Sequence, residues 1–282
     1  MTANASPEIA NSLRIGECTL NYHDQGEGDA VLLIHGSGPG VTAWANWRGV
    51  IPTLSQRARV IAPDMLGFGY TSCPGDWKLD PDTWVQSLVG LLDALDIPCV
   101  SIVGNSFGGA IALAFAKAHP KRVRRLVLMG AAGLPFPITE GLDKVWGYQP
   151  SLQAMRELME VFAYDHGLIN DDLVRMRYEA SIRDDVQTRF AQLFPAPRQQ
   201  GVEMLALAET DLCSLPHETL LIHGRDDKVI PLEVSDRMLR LIPHAQMHVF
   251  GECGHWVQIE RAAAFTRLLV DFLIEQPAST GA

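Results

Sequence analysis

Ser106 stands in Gly104-Asn105-Ser106-Phe107-Gly108, between the apolar run Val100–Val103 and a second run, Gly109–Ala116. A strand, a tight turn and a helix in that order expose the turn residue at the tip, which is where a serine nucleophile belongs. The pentapeptide alone is weak, since ordinary glycine and serine usage produces it by chance in roughly one chain in ten of this length. Its hydroxyl attacks nothing until a base takes the proton, and that base needs a third group to hold its tautomer. Two such groups follow downstream. Thr219-Leu220-Leu221-Ile222-His223-Gly224 runs into Arg225-Asp226-Asp227, and Met247-His248-Val249-Phe250 runs into Gly251-Glu252-Cys253-Gly254-His255-Trp256. Asp227 is the better acid candidate and His255 the base. Asp226 stays open as the rival acid, because motif alone does not separate adjacent carboxylates. Each residue also has a plainer reading, the aspartates as helix caps and His255 as a loop histidine.

Hydrolysis of a carbonyl also needs donors for a developing oxyanion, usually backbone N–H groups. The N–H of Phe107, at the start of the helix after the nucleophile, is one. The other belongs to His35-Gly36-Ser37-Gly38-Pro39-Gly40, through Ser37 or, as the alternative, Gly38. That loop lacks the Gly-Lys-Ser/Thr ending of a phosphate loop and the spacing of a dinucleotide fingerprint. Asp64-Met65-Leu66-Gly67-Phe68-Gly69 reads as a structural turn.

The elements that must position these groups are legible as buried-strand runs: Ala30–Ile34, Arg59–Ala62, Val100–Val103, Leu126–Met129, Thr219–Ile222 and Met247–Phe250. Continuous apolar runs suit a parallel sheet buried on both faces. Helical patterns fall between them, one opening at Asp80-Pro81 ahead of Trp84, Leu88, Leu91, Leu92 and Leu95. The alternation predicts an α/β fold with a mostly parallel central sheet flanked by helices. Between Gly133 and Leu215 the strand pattern gives way to helical segments such as Ser151–Ala163 and Asp171–Ile182, punctuated by Pro135, Pro137, Pro195, Pro197 and Pro216. The expected organisation is a core of 1–133 and 216–282 with a helical cap, 134–215, inserted between its halves. There is no internal repeat.

The 282 residues are 47% hydrophobic with a formal net charge of −10, which argues against nucleic acid or an anionic membrane as partner. An anionic substrate would need a local cation. The start, Met1 to Glu8, lacks the basic and apolar regions of a signal peptide, and no run of 18 apolar residues exists, so a cytoplasmic protein is expected. Cys18, Cys73, Cys99, Cys213 and Cys253 are odd in number and scattered, which fits reduced thiols, with neither a disulfide framework nor a zinc motif. No metal or organic cofactor is implied.

The residues resemble a known family, the meta-cleavage product hydrolases, which cleave carbon–carbon bonds on the α/β-hydrolase fold. The resemblance covers nearly the whole chain. Its motifs are His35 to Gly40 with Trp44-Ala45-Asn46-Trp47-Arg48, Ala62 to Gly69, Gly104 to Gly109 and Cys253-Gly254-His255-Trp256. Thr139 to Tyr148 and Arg177 to Arg183 are similar to the subgroup acting on catechol-derived semialdehydes. The resemblance implies water-dependent cleavage of 2-hydroxy-6-oxohexa-2,4-dienoates to a 2-hydroxypenta-2,4-dienoate and a small acid. The dienol is first converted to its keto tautomer. Serine or water then adds at C6, and the family leaves open which of the two it is. On that basis Ser106, Asp227 and His255 match the triad, and Ser37 and Phe107 the oxyanion hole. Arg177 matches the arginine that grips the substrate carboxylate, while Asn46, Asn105 and Trp256 match pocket-lining residues. Family habit also implies a homodimer or higher homo-oligomer.

Read without the resemblance, Arg177 is a solvated arginine on a helix, paired with neighbours such as Glu179. Asn46 and Asn105 read as turn residues, and Trp146 and Trp256 as core aromatics. The alternatives are a general carboxylesterase on the same fold and a ligand-binding receptor that keeps the triad but does not turn over. A haloalkane dehalogenase or epoxide hydrolase would carry aspartate where Ser106 stands. The C6 substituent stays open, with a small one expected.

Overall fold

The computed structural model describes residues 6–74 and 78–275, so five of the eight residues at the start discussed above lie outside the described residues. Eight strands form one sheet: β1 (Asn11–Ile15), β2 (Cys18–Gln25), β3 (Ala30–Ile34), β4 (Arg59–Pro63), β5 (Val100–Asn105), β6 (Val123–Met129), β7 (Glu218–Gly224) and β8 (Ala245–Phe250). Their order across the sheet is β1-β2-β4-β3-β5-β6-β7-β8. β1 and β2 run antiparallel to their neighbours, and every pairing from β4 to β8 is parallel.

β3 shows why its run is continuously apolar. Leu32 and Ile34 enter the core on one face, while Val31 and Leu33 enter the core on the other, as the two-residue period of a strand requires. The first face is covered by helices Pro81–Ala94, Phe107–Ala118 and Leu232–Leu241, the second by Ala43–Trp47, Ile51–Leu54 and Ala262–Val270. The Asp80 carboxylate caps the helix at Pro81 by accepting the Thr83 N–H at 3.0 Å, as the sequence anticipates. Between β6 and β7 every regular element is helical, and Leu142, Val145, Trp146 and Phe194 from that stretch are continuous with the first core.

Three expectations need correction. The sheet has eight strands rather than six, because β1 and β2 alternate polar and apolar residues around a two-residue turn at Gly16 (φ 59°) and present no apolar run. β8 is not fully buried: it is an edge strand paired only to β7, and Val249 is 40% exposed. Cys18 and Cys73 form a disulfide. Thr19 and Ser72 exchange backbone hydrogen bonds at 2.9 and 3.0 Å, which sets their cysteine neighbours side by side across 55 residues. Linear spacing carries no trace of that bridge.

The turn at Asp64 is structural, as expected. The Asp64 side chain is fully buried; Oδ1 accepts the Ala43 N–H (2.6 Å), and Oδ2 accepts the Tyr70 N–H and the Asn21 amide (both 2.8 Å). It ties the helix at Ala43, strand β2 and the turn after β4 to one point. Asp64→Ala leaves three buried donors unpaired at about 1–3 kcal/mol each, so urea unfolding should show a loss of about 4 kcal/mol. A loss under about 1 kcal/mol would contradict this role.

Candidate active site

β3 connects to β4 on one side and β5 lies on its other side, so the chain order reverses at β3 and β5. Crevices form outside the carboxyl ends of strands at such switch points. The loop 35–40 leaves the end of β3, Ser106 follows β5, Asp227 follows β7 and His255 follows β8. The parallel register therefore delivers all four segments to one edge of the sheet.

Ser106 occupies φ 56° and ψ −117°, a backbone conformation that costs a non-glycine residue about 1–3 kcal/mol. Its own main chain holds it there. Ser106 N–H donates to Met129 O at 2.9 Å, and Ser106 O accepts from Gly109 (2.9 Å), Ala132 (3.1 Å) and Ala110 (3.3 Å). The flanking glycines serve close approach rather than φ freedom. A Cβ on Gly104 would lie 2.4 Å from Gly108 O, and one on Gly108 2.3 Å from Ile34 O. The N–H of Phe107 opens the following helix and has no partner within it.

Asp227 Oδ2 lies 2.7 Å from His255 Nδ1, and both side chains are almost wholly buried. An ionised carboxylate only accepts, so His255 carries its proton on Nδ1 and keeps Nε2 free to act as base. Asp227 Oδ1 accepts the Val229 and Ile230 N–H groups at 2.7 and 3.0 Å. Burial alone would raise the Asp227 pKa, but His255 and His223 hold it well below the usual carboxylate range. Asp226 is different: its side chain is 32% exposed and its nearest charged partner is Arg225 Nη2 at 3.4 Å. The His255 backbone N–H donates to Phe162 O at 2.7 Å and its ring stacks on Phe162, so the helical stretch between β6 and β7 also grips this histidine.

His223 is a residue that sequence reasoning passed over. It is wholly buried, with Nε2 3.0 Å from Ile230 O and 3.4 Å from Asp227 Oδ2, and Nδ1 2.7 Å from Ser235 Oγ. The carbonyl requires the proton on Nε2, so Ser235 donates to Nδ1. The only signal in the sequence was a histidine at the end of an apolar run.

Ser37 Oγ accepts the Trp146 Nε1–H at 2.9 Å, and Trp146 also stacks flat on Phe194 with centroids 4.1 Å apart. Trp146 is thus a core aromatic and, beyond that reading, a link from the helical stretch to the loop after β3. His35 braces the same loop, donating Nδ1–H to Gly36 O (2.7 Å) and accepting the Met65 N–H at Nε2 (3.0 Å). Burial pulls its pKa down to about 4, so it stays neutral. Gly40, at φ 66°, packs so closely on the helix Asp171–Ser181 that a Cβ would lie 2.6 Å from Ser181 N.

One narrow cavity is lined by Ser106, His255, Ser37, Gly38, Asn46, Asn105, Arg177 and Trp256, closed by Leu142, Val145, Phe162 and Val229. All the candidate residues except Phe107, whose side chain turns into the core, and Asp227, behind His255, therefore meet on its wall. Asn105 Nδ2 donates to Met129 O at 3.3 Å, and Trp256 stacks on Phe162. Asn46 Nδ2 is buried without a partner among the described residues. Arg177 is partly buried, donates to Pro39 O at 3.3 Å, and makes no ion pair with Glu179 or any other acid among the described residues. Burial lowers its pKa, with Glu8 opposing that shift and Arg48 adding to it. A guanidinium with no carboxylate paired to it, on the wall that also holds Ser106, suits a planar anion. Among the described residues no three histidines, cysteines or acids gather to hold a metal, and no helix is long and apolar enough to cross a membrane.

Residues 29–262 match the family model of the alpha/beta hydrolase fold. The chain is 57% identical over 274 residues to 2-hydroxymuconate semialdehyde hydrolase from a Pseudomonas species, covering 97% of both chains. It is 56% identical to 2-hydroxy-6-oxo-2,4-heptadienoate hydrolase of Pseudomonas putida, covering 96% of this chain and 98% of that one. Among solved structures, a serine-to-alanine mutant of the meta-cleavage product hydrolase of Pseudomonas fluorescens, complexed with acetates, superposes with a TM-score of 0.95. That protein is 53% identical, with 96% of this chain and 99% of that chain covered.

Proposed function

The chain belongs to the alpha/beta hydrolase fold family and, within it, to the meta-cleavage product hydrolases, and from that premise we propose how its own residues carry out the reaction. It is a carbon–carbon bond hydrolase of the 2-hydroxymuconate semialdehyde type, acting on ring-fission products of aromatic catabolism. The single observation that carries the residue-level reading is the convergence, on one cavity wall, of Ser106, His255 and an arginine with no acidic partner among the described residues.

In this reading residues 134–215 form a cap over the cavity. Arg177 takes the substrate carboxylate and the adjacent 2-oxygen in a bidentate fork, and Asn46 adds its free amide donor. The C6 carbonyl then lies toward Ser106, its oxygen between the N–H groups of Ser37 and Phe107. In the keto tautomer the C5 carbon can leave with its electron pair, because charge passes into the carbonyl at C2. His255 takes the Ser106 proton as oxygen adds at C6; as the C5–C6 bond breaks, the electron pair runs through the conjugated chain to the 2-oxygen, which takes a proton back to become the 2-hydroxyl of the dienoate. Water supplies the hydroxyl of the acid, so a substrate with hydrogen on C6 gives 2-hydroxypenta-2,4-dienoate and formate. Leu142, Val145, Phe162 and Val229 crowd the cavity wall, which favours a small C6 substituent.

The test is to mix the protein with the yellow ring-fission product of catechol, follow its dienolate absorbance and assay formate. Loss of colour with one formate per substrate is expected; turnover of simple esters without loss of colour would move the protein to the carboxylesterases. Arg177→Gln should cut kcat/KM on the dienoate about 100-fold, the size of a lost charge-assisted pair near 3 kcal/mol, with little effect on a neutral ester. Equal losses on both substrates would return Arg177 to a structural role.

A further inference from the structure

Arg177 has a second exposure. On its far side lies an outer chamber of about 330 Å³, which shares Val41, Asn46, Arg177 and Trp256 with the inner cavity. The inner cavity, at about 40 Å³, holds little more than a few waters, so a six-carbon dienoate must pass through adjoining space to reach Ser106. The outer chamber is amphipathic. Leu168, Met176 and Ile259, 38–44% exposed, form an apolar lip. Arg48 and Arg177 stand on its wall, with Glu8 the only acid there among the described residues.

Arg48 is exposed and, among the described residues, joins no ion pair. It lies near enough to Arg177 to disfavour that guanidinium's charge, although the chain as a whole carries −10. Glu8 answers part of this charge at Arg177, but Arg48 has no acid of its own among the described residues, so an incoming anion meets a wall that is net positive. Gln258, 3% exposed, lines the same chamber, and its Oε1 is buried without a partner among the described residues. It offers an acceptor for a hydroxyl beside the carboxylate.

We infer that this chamber is a receiving site for the 2-hydroxy-carboxylate head of the incoming dienoate, with Arg48 the cation that captures it before Arg177. The inference rests on the dienoate reading. Arg48 acts at capture and does not touch the reacting atoms, so its charge should appear in kcat/KM and in salt dependence, while kcat changes little. Solvent-exposed attraction of this kind fades as the Debye length shortens.

The deciding experiment measures kcat and kcat/KM on the catechol ring-fission product from low to high ionic strength. The wild-type protein, Arg48→Gln and Arg48→Lys are compared, with p-nitrophenyl acetate as the neutral substrate. Arg48→Gln should lose about fivefold in kcat/KM at low salt and show a flattened salt profile, with the ester unaffected and Arg48→Lys close to wild type. A wild-type salt profile in Arg48→Gln, or the same loss on the neutral ester, would overturn the role of Arg48 while leaving the dienoate reading intact. Failure of the wild-type protein to cleave the dienoate would instead remove that reading, and the inference with it.

Discussion

Ser106→Ala should lower dienoate turnover by at least about 10,000-fold, since the nucleophile and its base act as a unit and removing one disables the other. The fold should survive. Alanine accepts the strained backbone at φ 56° no worse than serine does, and the four main-chain hydrogen bonds at this residue do not involve its side chain. The measurement is steady-state turnover by loss of dienolate absorbance, paired with a thermal melt. Turnover within about tenfold of wild type, in a variant that melts normally, would show that Ser106 is not the reacting hydroxyl.

Asp227→Asn is the second large effect, again about 10,000-fold in kcat. Both carboxylate oxygens of Asp227 only accept: Oδ1 from two backbone N–H groups, Oδ2 from His255 Nδ1. An amide brings an NH2 group to one of these places. Facing Val229 and Ile230 it opposes their donors; facing His255 it forces the imidazole proton onto Nε2, which can then no longer accept from Ser106. Asp226→Asn should stay within about twofold of wild type, because that carboxylate is a third exposed and, among the described residues, bonds only to Arg225. Measuring both variants with the same assay decides between adjacent acids. A large loss in Asp226→Asn with a small one in Asp227→Asn would reverse the assignment.

The legible parts of this protein are those whose physics is local. Ser106, His255 and the acid each follow an apolar run, and the residues around the nucleophile had to be small because the β5 turn packs against the following helix and the end of β3. Arg177 was a different case. On composition it is one more arginine on a polar helix, and only family resemblance marked it for binding. In three dimensions it lies beside Pro39 O on the wall that holds Ser106. His223 gave no signal of its contact with Asp227, since a buried histidine at a strand end is equally compatible with simple packing. The Cys18–Cys73 disulfide was misread because cysteine spacing says nothing about which strands pair. β1 and β2 were missed because neither carries an apolar run: β1 is largely exposed, and β2 is mostly buried but sets the polar Asn21 and His23 between its apolar residues.

The amino-acid sequence determined the order of the strands from β3 onward, the helical character of 134–215, the serine in its tight turn and the succession serine, acid, histidine. Hydrophobic period and turn chemistry depend on residues a few positions apart, so they can be read along a line. The tertiary structure alone decided that Asp227 rather than Asp226 faces His255, that Trp146 reaches Ser37, and that Arg48 and Arg177 share a chamber beside the nucleophile. Those are contacts between segments tens to more than a hundred residues apart, set by which strand lies beside which in the sheet. A hydrogen bond or an uncompensated charge acts over a few ångströms of space, and sequence distance does not report that separation.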